Sequence, residues 1–538
     1  MSAPSVRDLL RAADVRGPLR AGGLIARLEA RGLLRGTVRA AGPARPASLG
    51  GVPVAGVAYD SRAVVPGGLF VAIAGEHVDG HAFLDAALAR GAAVAVVERP
   101  SRDVPIDQLV VTDTRRALAA AAAWWYGDPS AEVGVVGITG TDGKTTTSFL
   151  AVAALERAGL PTGLLGTVET KIGPAREANP EHVTTPQAPE LQAALRAMVE
   201  AGDRCAVVET TSHGLALHRV DEVAYDVAIF TNLSHEHLEL HGTFEAYRAA
   251  KLSLFGRLGR AGADKGWPRA GIVNHDDPAA PLFEAETRNA GVRLVRFGTG
   301  EGADVRATAI DEAGRRLAVQ VVTPRWAGRL ELRLAGLFNV HNALAVVALG
   351  EALDLDPAAV RAGLESVTAV PGRMERVDAG QPFGVVIDYA HSPASLEKVL
   401  SILAPVAAAR GGGLIAVFGS AGDRDRGKRA MMGRIAGERC RLVVLTDEDP
   451  RGEEPMAILE EIGRGAEAVG RRRDHDLLLV PDRPTAIAAA FKRARPGDVV
   501  LLAGKGHEHS IIYGTEPRPY DERAAALAAL AALGHGAG

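Results

Sequence analysis

The residues best suited to chemistry lie in the segment Gly137-Ile138-Thr139-Gly140-Thr141-Asp142-Gly143-Lys144-Thr145-Thr146. An apolar run leads into it and a helical pattern begins at Thr145, which predicts a strand, a tight turn and a helix. Glycines at 140 and 143 let backbone N–H groups crowd around a phosphate, with the helix N-terminus adding partial positive charge. Lys144 then suits the β- and γ-phosphates and Thr145 suits Mg²⁺. The segment predicts nucleotide binding, although the strict P-loop pattern wants glycine at Ile138.

Polar clusters follow several other predicted strands. Glu209 closes one of them, where a carboxylate can either bind a hard cation or lie in solvent. Three histidines crowd the segment from Ser234 to His241, but no cysteine is near and the spacing is not that of a zinc helix. Three more clusters are Asp388-Tyr389-Ala390-His391, the charged run from Gly419 to Arg429, and Gly504-Lys505-Gly506-His507-Glu508. Because ligands bind at the carboxyl ends of parallel strands, a substrate crevice is favoured over merely polar loops.

The elements that must position these residues are short strands alternating with helices, which is typical of doubly wound sheets. We predict the fold class α/β with three domains: an N-terminal α/β domain, a central phosphate-loop domain with a parallel sheet, and a C-terminal Rossmann-like domain. Turn signals at Gly127-Asp128-Pro129 and Pro371-Gly372 mark the boundaries. The predicted division is 1–48, a loosely ordered extension without chemistry, then 49–128, 129–366 and 367–538.

Composition excludes several classes of function. The formal net charge of -4 on 538 residues gives no electrostatic case for a nucleic-acid partner. We find no apolar stretch of the ~18 residues that a membrane span needs, and no signal-peptide core at the start. Cys205 and Cys440 lie in apolar contexts, which predicts core thiols in a reducing compartment. We expect a cytoplasmic protein that acts as a monomer.

In their order along the chain, these motifs resemble the Mur ligase family, in its tripeptide-synthetase branch. The resemblance runs from about Asp60 to Glu508 and leaves the first 48 residues outside. Several motifs in one order are more specific than any one of them. Those that carry it are Gly140 to Thr145, His237 in its cluster, Asp388 to His391, Gly422-Asp423-Arg424-Asp425 and Gly504 to Glu508.

The resemblance implies ATP-dependent amide formation in the cytosolic synthesis of peptidoglycan precursors. ATP would phosphorylate the side-chain carboxylate of D-glutamate in UDP-N-acetylmuramoyl-L-alanyl-D-glutamate. The amino group of a diamino acid would then attack this acyl phosphate, giving the amide, ADP and phosphate. Because a carboxylate is a poor electrophile, phosphorylation supplies the leaving group, and the protein supplies positioning and charge neutralisation.

The resemblance also implies roles around ATP and two Mg²⁺ ions. Lys144 would bind phosphate, and Mg²⁺ would be held by Thr145, Glu209, His237 and a carbamylated Lys251. For Lys251, the sequence alone favours an ordinary lysine on a helix surface. Further ATP contacts would come from Gly140, Thr141, Asp142, Gly143 and Thr146, from the adenine-side Asn339 and Asn342, and from Arg373, Asp388 and His391 of the C-terminal domain.

Two more sets of residues are implied for the other substrates. The first domain would be the UDP-binding domain. The UDP-muramyl dipeptide would be held by Ser61, Glu76, His77, Val78, Thr184, Thr185, Thr211 and Arg219. The incoming amino acid would be held by Arg429, Asp449, Arg451, Gly504 and Glu508.

The identity of that amino acid depends on one short segment. The chain reads Glu448-Asp449-Pro450-Arg451 where diaminopimelate-adding members read Asp-Asn-Pro-Arg. Arg451 suits a distal carboxylate, whereas Asp449 would repel that group and attract a distal ammonium. We therefore expect L-lysine or L-ornithine ahead of meso-diaminopimelate.

Two other functions fit part of the pattern. A folylpolyglutamate synthetase shares the phosphate loop and its lysine, but Asp60-Ser61-Arg62 in the first domain argues against it. A catalytically inactive nucleotide-binding scaffold is the alternative from another class. Residues for two metal sites argue against that scaffold, because binding alone does not require them.

Overall fold

The computed structural model describes residues 4–13, 18–40, 47–75, 78–179, 183–234, 241–259, 265–313 and 316–536. The chain divides into two compact units. The first is Met1–Leu332 with Leu337–Val367, and the second is Arg333–Gly336 with Thr368–Gly538. Within the described residues, we find no helix long and apolar enough to cross a membrane.

The first unit begins with a five-stranded sheet. Its strands, in spatial order, are Leu34–Val38, Asp107–Val111, Val94–Val97, Leu69–Val71 and Val57–Ala58. Only the first pair is antiparallel. Its helices are Ala21–Ala30, Leu84–Ala89 and Thr114–Tyr126, and a two-stranded ribbon joins Leu19–Arg20 to Pro53–Val54. The last helix ends at Gly127, whose φ of 69° is the left-handed conformation that stops a helix.

The prediction of a loosely ordered extension over residues 1–48 is wrong for the part that the structure describes. The helix Ala21–Ala30 packs on Thr114–Tyr126, and the strand Leu34–Val38 pairs with Asp107–Val111. Another helix, Val6–Ala13, packs on Ala188–Glu200 in the central part of the unit. The many Arg, Gly and Pro residues obscured apolar side chains at helical spacing, such as the fully buried Leu24 and Leu28.

An eleven-stranded sheet forms the rest of the first unit. Its order is Ala175–Ala178, Glu169–Ile172, Thr162–Leu165, Cys205–Glu209, Gly134–Thr139, Val227–Phe230, Ala270–Asn274, Arg293–Gly298, Val305–Ala313, Arg316–Val322 and Ala327–Leu332. The centre is parallel and buried on both faces, which suits its Val- and Ile-rich strands, whereas both edges are antiparallel. Its helices are Lys144–Arg157, Ala188–Glu200, Ser212–Ala216, Phe244–Gly256, Ala280–Asn289, Phe338–Ala352 and Pro357–Ser366.

The second unit is a six-stranded sheet with helices on it. Its order is Glu375–Val377, Gly384–Asp388, Val499–Ala503, Leu414–Phe418, Leu442–Leu445 and Leu477–Leu479, with only the first pair antiparallel. Its helices are Pro393–Ala409, Gly427–Arg439, Pro455–Glu467, Arg483–Arg493 and Glu522–Ala532, and a hairpin joins Ser510–Tyr513 to Glu516–Pro519. The predicted α/β fold with a Rossmann-like C-terminal part is confirmed.

Strand order brings the predicted clusters together. Cys205–Glu209 lies beside Gly134–Thr139, with Glu209 in register with Ile138, so the carboxylate and the phosphate loop share one edge. In the second unit, the strands that precede the loops at 388, 419, 446 and 504 are all neighbours. Each unit therefore carries one cluster of polar loops at the carboxyl ends of its parallel strands.

Candidate active site

Two glycines shape the phosphate loop of the first unit. Gly140 has φ 152° and Gly143 has φ 82°, which are conformations that favour glycine. A Cβ at Gly140 would lie 1.9 Å from Thr231 Oγ1, and one at Gly143 would lie 2.4 Å from Asn342 Oδ1. Both positions therefore exclude a side chain because the loop packs closely against its neighbours.

Two lysines meet at one carbonyl of this loop. Lys144 Nζ donates to the carbonyl oxygens of Gly140, at 2.9 Å, and Thr141, at 2.8 Å. Lys251 Nζ donates to the same Gly140 oxygen at 2.7 Å and lies 4.5 Å from the centre of the Tyr247 ring. Lys251 is only 2% exposed, so the interpretation of it as a helix-surface lysine is wrong.

Neighbouring loops brace the phosphate loop. The amide of Asp142 donates to Asn232 Oδ1 at 2.9 Å. In return, the carbonyl of Asp142 accepts from Thr231 Oγ1 at 2.7 Å and from Asn232 Nδ2 at 3.1 Å. Thr141 Oγ1 and the Tyr247 hydroxyl lie 3.0 Å apart. The loop conformation is thus held from outside.

Asn339 and Asn342 reach the helix that follows the loop. Asn342 Nδ2 donates to Asn339 Oδ1 at 2.9 Å, and Thr147 Oγ1 donates to Asn342 Oδ1 at 3.3 Å. Thr146, which precedes Thr147, is buried, and both asparagines are buried too. The structure thus brings the predicted adenine-side residues into the phosphate-loop region.

Glu209 is a fully buried carboxylate that hydroxyl and amide groups surround. Oε2 accepts from Thr145 Oγ1 at 3.0 Å and Thr167 Oγ1 at 2.9 Å, while Oε1 accepts from Thr167 N at 3.0 Å and Ser148 Oγ at 3.2 Å. It makes no ion pair with a side chain of the described residues. Buried charge needs a counter-charge, and oxygen donors are those that Mg²⁺ prefers, so Thr145 and Glu209 fit this ion.

The rest of the predicted metal site is less complete. His237 lies outside the described residues, as do Glu76 and His77. Within the residues that the structure does describe, three or more His, Cys, Asp or Glu side chains nowhere group as a metal site. Of the predicted ligands, Thr145 hydrogen bonds to Glu209, and Lys251 hydrogen bonds to the phosphate loop.

Next to Glu209 lie the four residues predicted to hold the muramyl dipeptide: Thr184, Thr185, Thr211 and Arg219. Thr185 Oγ1 donates to the carbonyl of Glu209 at 2.8 Å and accepts from Thr211 N at 3.0 Å. Arg219 Nη1 donates to the carbonyl of Thr185 at 2.8 Å. Burial and the nearby charge of Arg115 lower the pKa of Arg219. A carboxylate or phosphate bound here would offset both effects.

Thr167 is a member of this site that its sequence context did not single out. Besides its two bonds to Glu209, its hydroxyl oxygen lies 3.0 Å from Thr184 Oγ1 and can accept a hydrogen bond from it. It follows Gly166, where a Cβ would lie 2.6 Å from Glu209 Oε1. The available signal was a small residue and a hydroxyl directly after the apolar run that forms the strand Thr162–Leu165.

In the five-stranded sheet, Ser61 begins the short turn Ser61–Ala63 and is 9% exposed. Asp60 caps this turn by accepting from Arg62 N at 2.8 Å. Val78 is 57% exposed. These two predicted UDP contacts are thus a buried hydroxyl at a strand-end turn and an exposed apolar side chain.

In the second unit, Tyr389 contacts two of the residues predicted to bind ATP, Arg373 and His391. The Arg373 guanidinium lies 4.9 Å from the centre of that ring. Asp388 accepts from Met374 N at 2.8 Å and from Ala390 N at 2.9 Å, so it fixes the backbone next to Arg373. His391 Nδ1 lies 2.9 Å from the Tyr389 carbonyl oxygen. Arg373, Asp388 and His391 therefore share one loop cluster.

Arg429 pairs its guanidinium with two carboxylates of the second unit. It is fully buried, and its terminal nitrogens lie 2.8 Å from Glu453 Oε1 and 2.8 Å from Glu461 Oε2. The hydrogen bonds from Arg429 lower the pKa of Glu453 to about 2. The helix Gly427–Arg439 turns Arg429 inward, where it fixes the segment carrying Glu453, and direct contact of Arg429 with the amino acid stays a prediction.

Asp449 shares one internal ammonium with Glu508, which weakens the argument for a basic third substrate. Lys505 Nζ lies 2.8 Å from Asp449 Oδ1 and 2.5 Å from Glu508 Oε2. Gly504 brings the two loops together, since a Cβ there would lie 2.9 Å from Glu448 Oε2. A carboxylate that shares an internal ammonium attracts a distal ammonium, and repels a distal carboxylate, less strongly than an unpaired carboxylate does.

Three models of known protein families match the chain. Residues 53–126 match the one described as Mur ligase family, catalytic domain. Residues 138–350 match the Mur ligase middle domain, and residues 372–506 match the Mur ligase, glutamate ligase domain. Together they follow the same order as the motifs described above.

Individual relatives agree with these family models. A UDP-N-acetylmuramyl-tripeptide synthetase of Roseiflexus sp. (strain RS-1) is 50% identical over 490 residues, covering 90% of this chain and 96% of that one. A UDP-N-acetylmuramoyl-L-alanyl-D-glutamate--2,6-diaminopimelate ligase of Geobacillus thermodenitrificans is 41% identical, covering 89% and 96%. A solved structure of an enzyme with the latter name aligns with a TM-score of 0.62 and 29% identity, covering 92% and 98%.

These relatives are matched along nearly their whole length, and not in one shared domain alone. The phosphate loop, the buried Glu209 and the hydroxyl groups beside it lie within the matched middle domain. The chain therefore belongs to the Mur ligase family of ATP-dependent amide ligases, in its tripeptide-synthetase branch.

Proposed function

We propose that this ligase adds a diamino acid to the D-glutamate of UDP-N-acetylmuramoyl-L-alanyl-D-glutamate, with ATP as co-substrate. The reaction belongs to peptidoglycan precursor synthesis. Its two nucleotide substrates, ATP and the UDP-muramyl dipeptide, favour the cytoplasm as the compartment where it takes place. ATP phosphorylates the side-chain carboxylate of D-glutamate and leaves as ADP. The amine then attacks the acyl carbon, a C–N bond forms, the C–O bond to phosphate breaks, and the amine loses its proton.

The observation that carries this proposal is the position of Glu209. Its carboxylate accepts from Thr145 of the phosphate-loop helix, and its carbonyl accepts from Thr185 of the dipeptide set. Phosphoryl transfer needs the γ-phosphate and the accepting carboxylate at one place. Nucleotide and dipeptide residues that contact the side chain and the backbone of a single buried residue supply that proximity.

The chain's own residues have distinct tasks in this scheme. Lys144 would exchange the loop carbonyls that it contacts for phosphate oxygens and neutralise charge there. Arg219, adjacent to Thr185, would hold a carboxylate of the dipeptide. Neither task requires a proton to move, so positioning and charge carry the catalysis.

Mg²⁺ would be held by Thr145, Glu209, His237 and a carbamylated Lys251. When bound, Mg²⁺ neutralises charge on the phosphates during transfer. Carbamylation would turn the Lys251 ammonium into a carboxylate, and so convert a cation beside the phosphate loop into an oxygen ligand. The burial of Lys251 beside Gly140 supports this role.

The third substrate is L-lysine, L-ornithine or meso-diaminopimelate. The Asp449–Lys505 pair weakens the preference for a basic amino acid. Arg451 then suits the distal carboxylate that only diaminopimelate carries. The relative from Geobacillus thermodenitrificans is named for that amino acid.

The experiment is phosphate release by the purified protein with ATP, Mg²⁺ and UDP-N-acetylmuramoyl-L-alanyl-D-glutamate. The three amino acids are compared, and each product is identified by mass spectrometry. We expect turnover with at least one of them, and a mass increase equal to that amino acid minus water. Without an amino acid, turnover should stop.

Lys144→Ala is the negative control and exposed Lys492→Ala is its matched lysine variant. We expect a loss of about 10²-fold or more for Lys144→Ala and no change for Lys492→Ala. If the unchanged protein released no phosphate with any of the three amino acids, the proposal would be contradicted. Folate-dependent ATP turnover instead would favour a folylpolyglutamate synthetase.

A further inference from the structure

A short hairpin, Ser510–Tyr513 with Glu516–Pro519, follows the loop that ends at Glu508. The family model of the C-terminal domain ends at residue 506, so the hairpin lies outside it. Its second strand is exposed along its length. Its first strand contacts the segment Asp447–Arg451, which carries two residues that we assign to the third substrate.

Side chains of that segment accept hydrogen bonds from the hairpin at alternate positions. The Tyr513 hydroxyl donates to Asp447 Oδ2 at 2.9 Å. The amide of Ile512 donates to Asp449 Oδ1 at 3.0 Å, beside the Lys505 ammonium. Asp447 is 4% exposed and Asp449 is 7% exposed, so water does not replace these donors readily.

The backbone of Arg451 is also bonded to the hairpin. Arg451 N donates to the carbonyl of Ile512 at 3.0 Å, and Gly514 N donates to the carbonyl of Arg451 at 2.7 Å. Arg451 has φ 53°, a left-handed conformation that is uncommon for a residue with a side chain. Two backbone hydrogen bonds with the hairpin hold Arg451 in this conformation, and the φ angle of Arg451 in turn sets the direction of its side chain.

We propose that the hairpin Ser510–Pro519 is the specificity element for the third substrate, and that Tyr513 is a positioning residue acting through Asp447. The inference rests on the proposed function, because it assigns Asp449 and Arg451 to the incoming diamino acid. The segment is fixed at Asp447, Asp449 and Arg451, so it cannot rearrange to fit an amino acid that lacks one polar group. When such an amino acid binds, buried polar groups of the segment stay unpaired, and this cost discriminates against it.

Tyr513→Phe is the test, because it removes one hydroxyl and keeps the ring that lies 4.4 Å from the Arg518 guanidinium. KM and kcat are measured for each of the three substrates in the phosphate-release assay. We expect KM for the preferred diamino acid to rise about fivefold to tenfold. KM for ATP and for the UDP-muramyl dipeptide should stay within about twofold, since loss of one distant hydrogen bond leaves them untouched. The kcat/KM ratio between diaminopimelate and lysine should move towards one.

Glu516→Gln is the matched control on the same hairpin, because Glu516 is 74% exposed and makes no contact with the segment Asp447–Arg451 among the bonds described. It should leave all three KM values unchanged. Equal changes in every KM, or no change in Tyr513→Phe, would overturn the role of the hairpin while the proposed function stands. If Tyr513→Phe unfolds, Tyr513→His, whose ring keeps a donor, must restore part of the amino-acid affinity. Absence of turnover in the unchanged enzyme overturns the proposed function and this inference with it.

Discussion

Gly143 and Gly159 have nearly the same φ angle but different surroundings. Their φ angles are 82° and 81°, yet a Cβ at Gly143 would lie 2.4 Å from Asn342 Oδ1, and one at Gly159 would meet nothing within 4 Å. Alanine at either position carries the left-handed strain, about 1 kcal/mol. The pair therefore separates backbone strain from the packing of the phosphate loop.

We expect Gly159→Ala to lower stability by about 1 kcal/mol and to keep its turnover. Gly143→Ala should show the same strain and lose about 10²-fold or more in kcat, because the loop must move away from Asn342. Urea unfolding and phosphate release measure the two effects. Equal turnover in both variants would contradict a packing requirement at the phosphate loop.

Lys251 gives a second prediction at this scale. If Lys251 works as a carbamate, Lys251→Ala should lose about 10²-fold or more in turnover and regain part of it with added formate or acetate. Removal of dissolved CO₂ should lower the activity of the unchanged enzyme and leave Lys251→Ala as it is. Rescue by methylamine instead of a carboxylate would show that the ammonium form is the active one.

The role of a single residue could be predicted when its contacts are local in sequence, and not when they depend on the order of the strands. The roles proposed for Lys144 and Thr145 follow from one local motif. Lys251 had a usable signal, because the helix Phe244–Gly256 buries Tyr247, Lys251, Leu254 and Phe255 on one stripe. The pairing of Asp449 with Lys505 had none, since it joins residues 56 apart through the order of two strands.

At the scale of elements, the loop after Leu442–Leu445 carries a buried carboxyl group, Asp447, with a shifted pKa. Burial raises the pKa of Asp447 from its ordinary 3.8 to about 6. The carboxyl is therefore protonated more readily in the folded protein than in the unfolded chain. Its contribution to stability is fully present below 3.8 and is lost as pH rises through about 6.

Asp447→Asn should remove this pH dependence and keep an oxygen for the Tyr513 hydroxyl. Relative to the unchanged protein, the variant should gain about 3 kcal/mol in free energy of unfolding between pH 4 and pH 8, as an order of magnitude. Urea unfolding followed by far-UV circular dichroism measures the difference. A difference that does not change with pH would contradict the assigned pKa.

Elements were predicted better than their pairing. The strands Val499–Ala503 and Leu414–Phe418 can be recognised in the sequence, because continuous apolar runs bounded by glycine are typical of buried parallel strands. The antiparallel strands Val305–Ala313 and Arg316–Val322 were missed, since their mixed polarity gives a weak period-two signal. The order of strands, which sets the site, cannot be read from local patterns.

At the scale of the whole molecule, the described residues among the first 40 pack against the rest of the first unit. The helix Ala21–Ala30 covers Thr114–Tyr126, and Arg31 makes a bidentate pair with Glu222 of the central part, at 2.9 and 2.8 Å. Removal of residues 1–40 would expose the edge strand Asp107–Val111 and the apolar face beneath the helix. Exposed edges and apolar patches promote aggregation.

We expect the protein without residues 1–40 to lose at least about 3 kcal/mol of stability, from the burial of Leu24 and Leu28 alone, and to aggregate. Removal of residues 536–538 is the matched control and should change little. Thermal unfolding and light scattering measure both. Unchanged stability after the larger deletion would show that the packing of this segment is not needed by the fold.

The division into two units has a spectroscopic consequence. All four tryptophans, Trp124, Trp125, Trp267 and Trp326, belong to the first unit. Indole emission therefore reports the opening of that unit only, whereas the peptide chromophore reports both. Since units with separate cores can unfold at different denaturant concentrations, emission and ellipticity curves recorded on one sample would trace two midpoints without any added label.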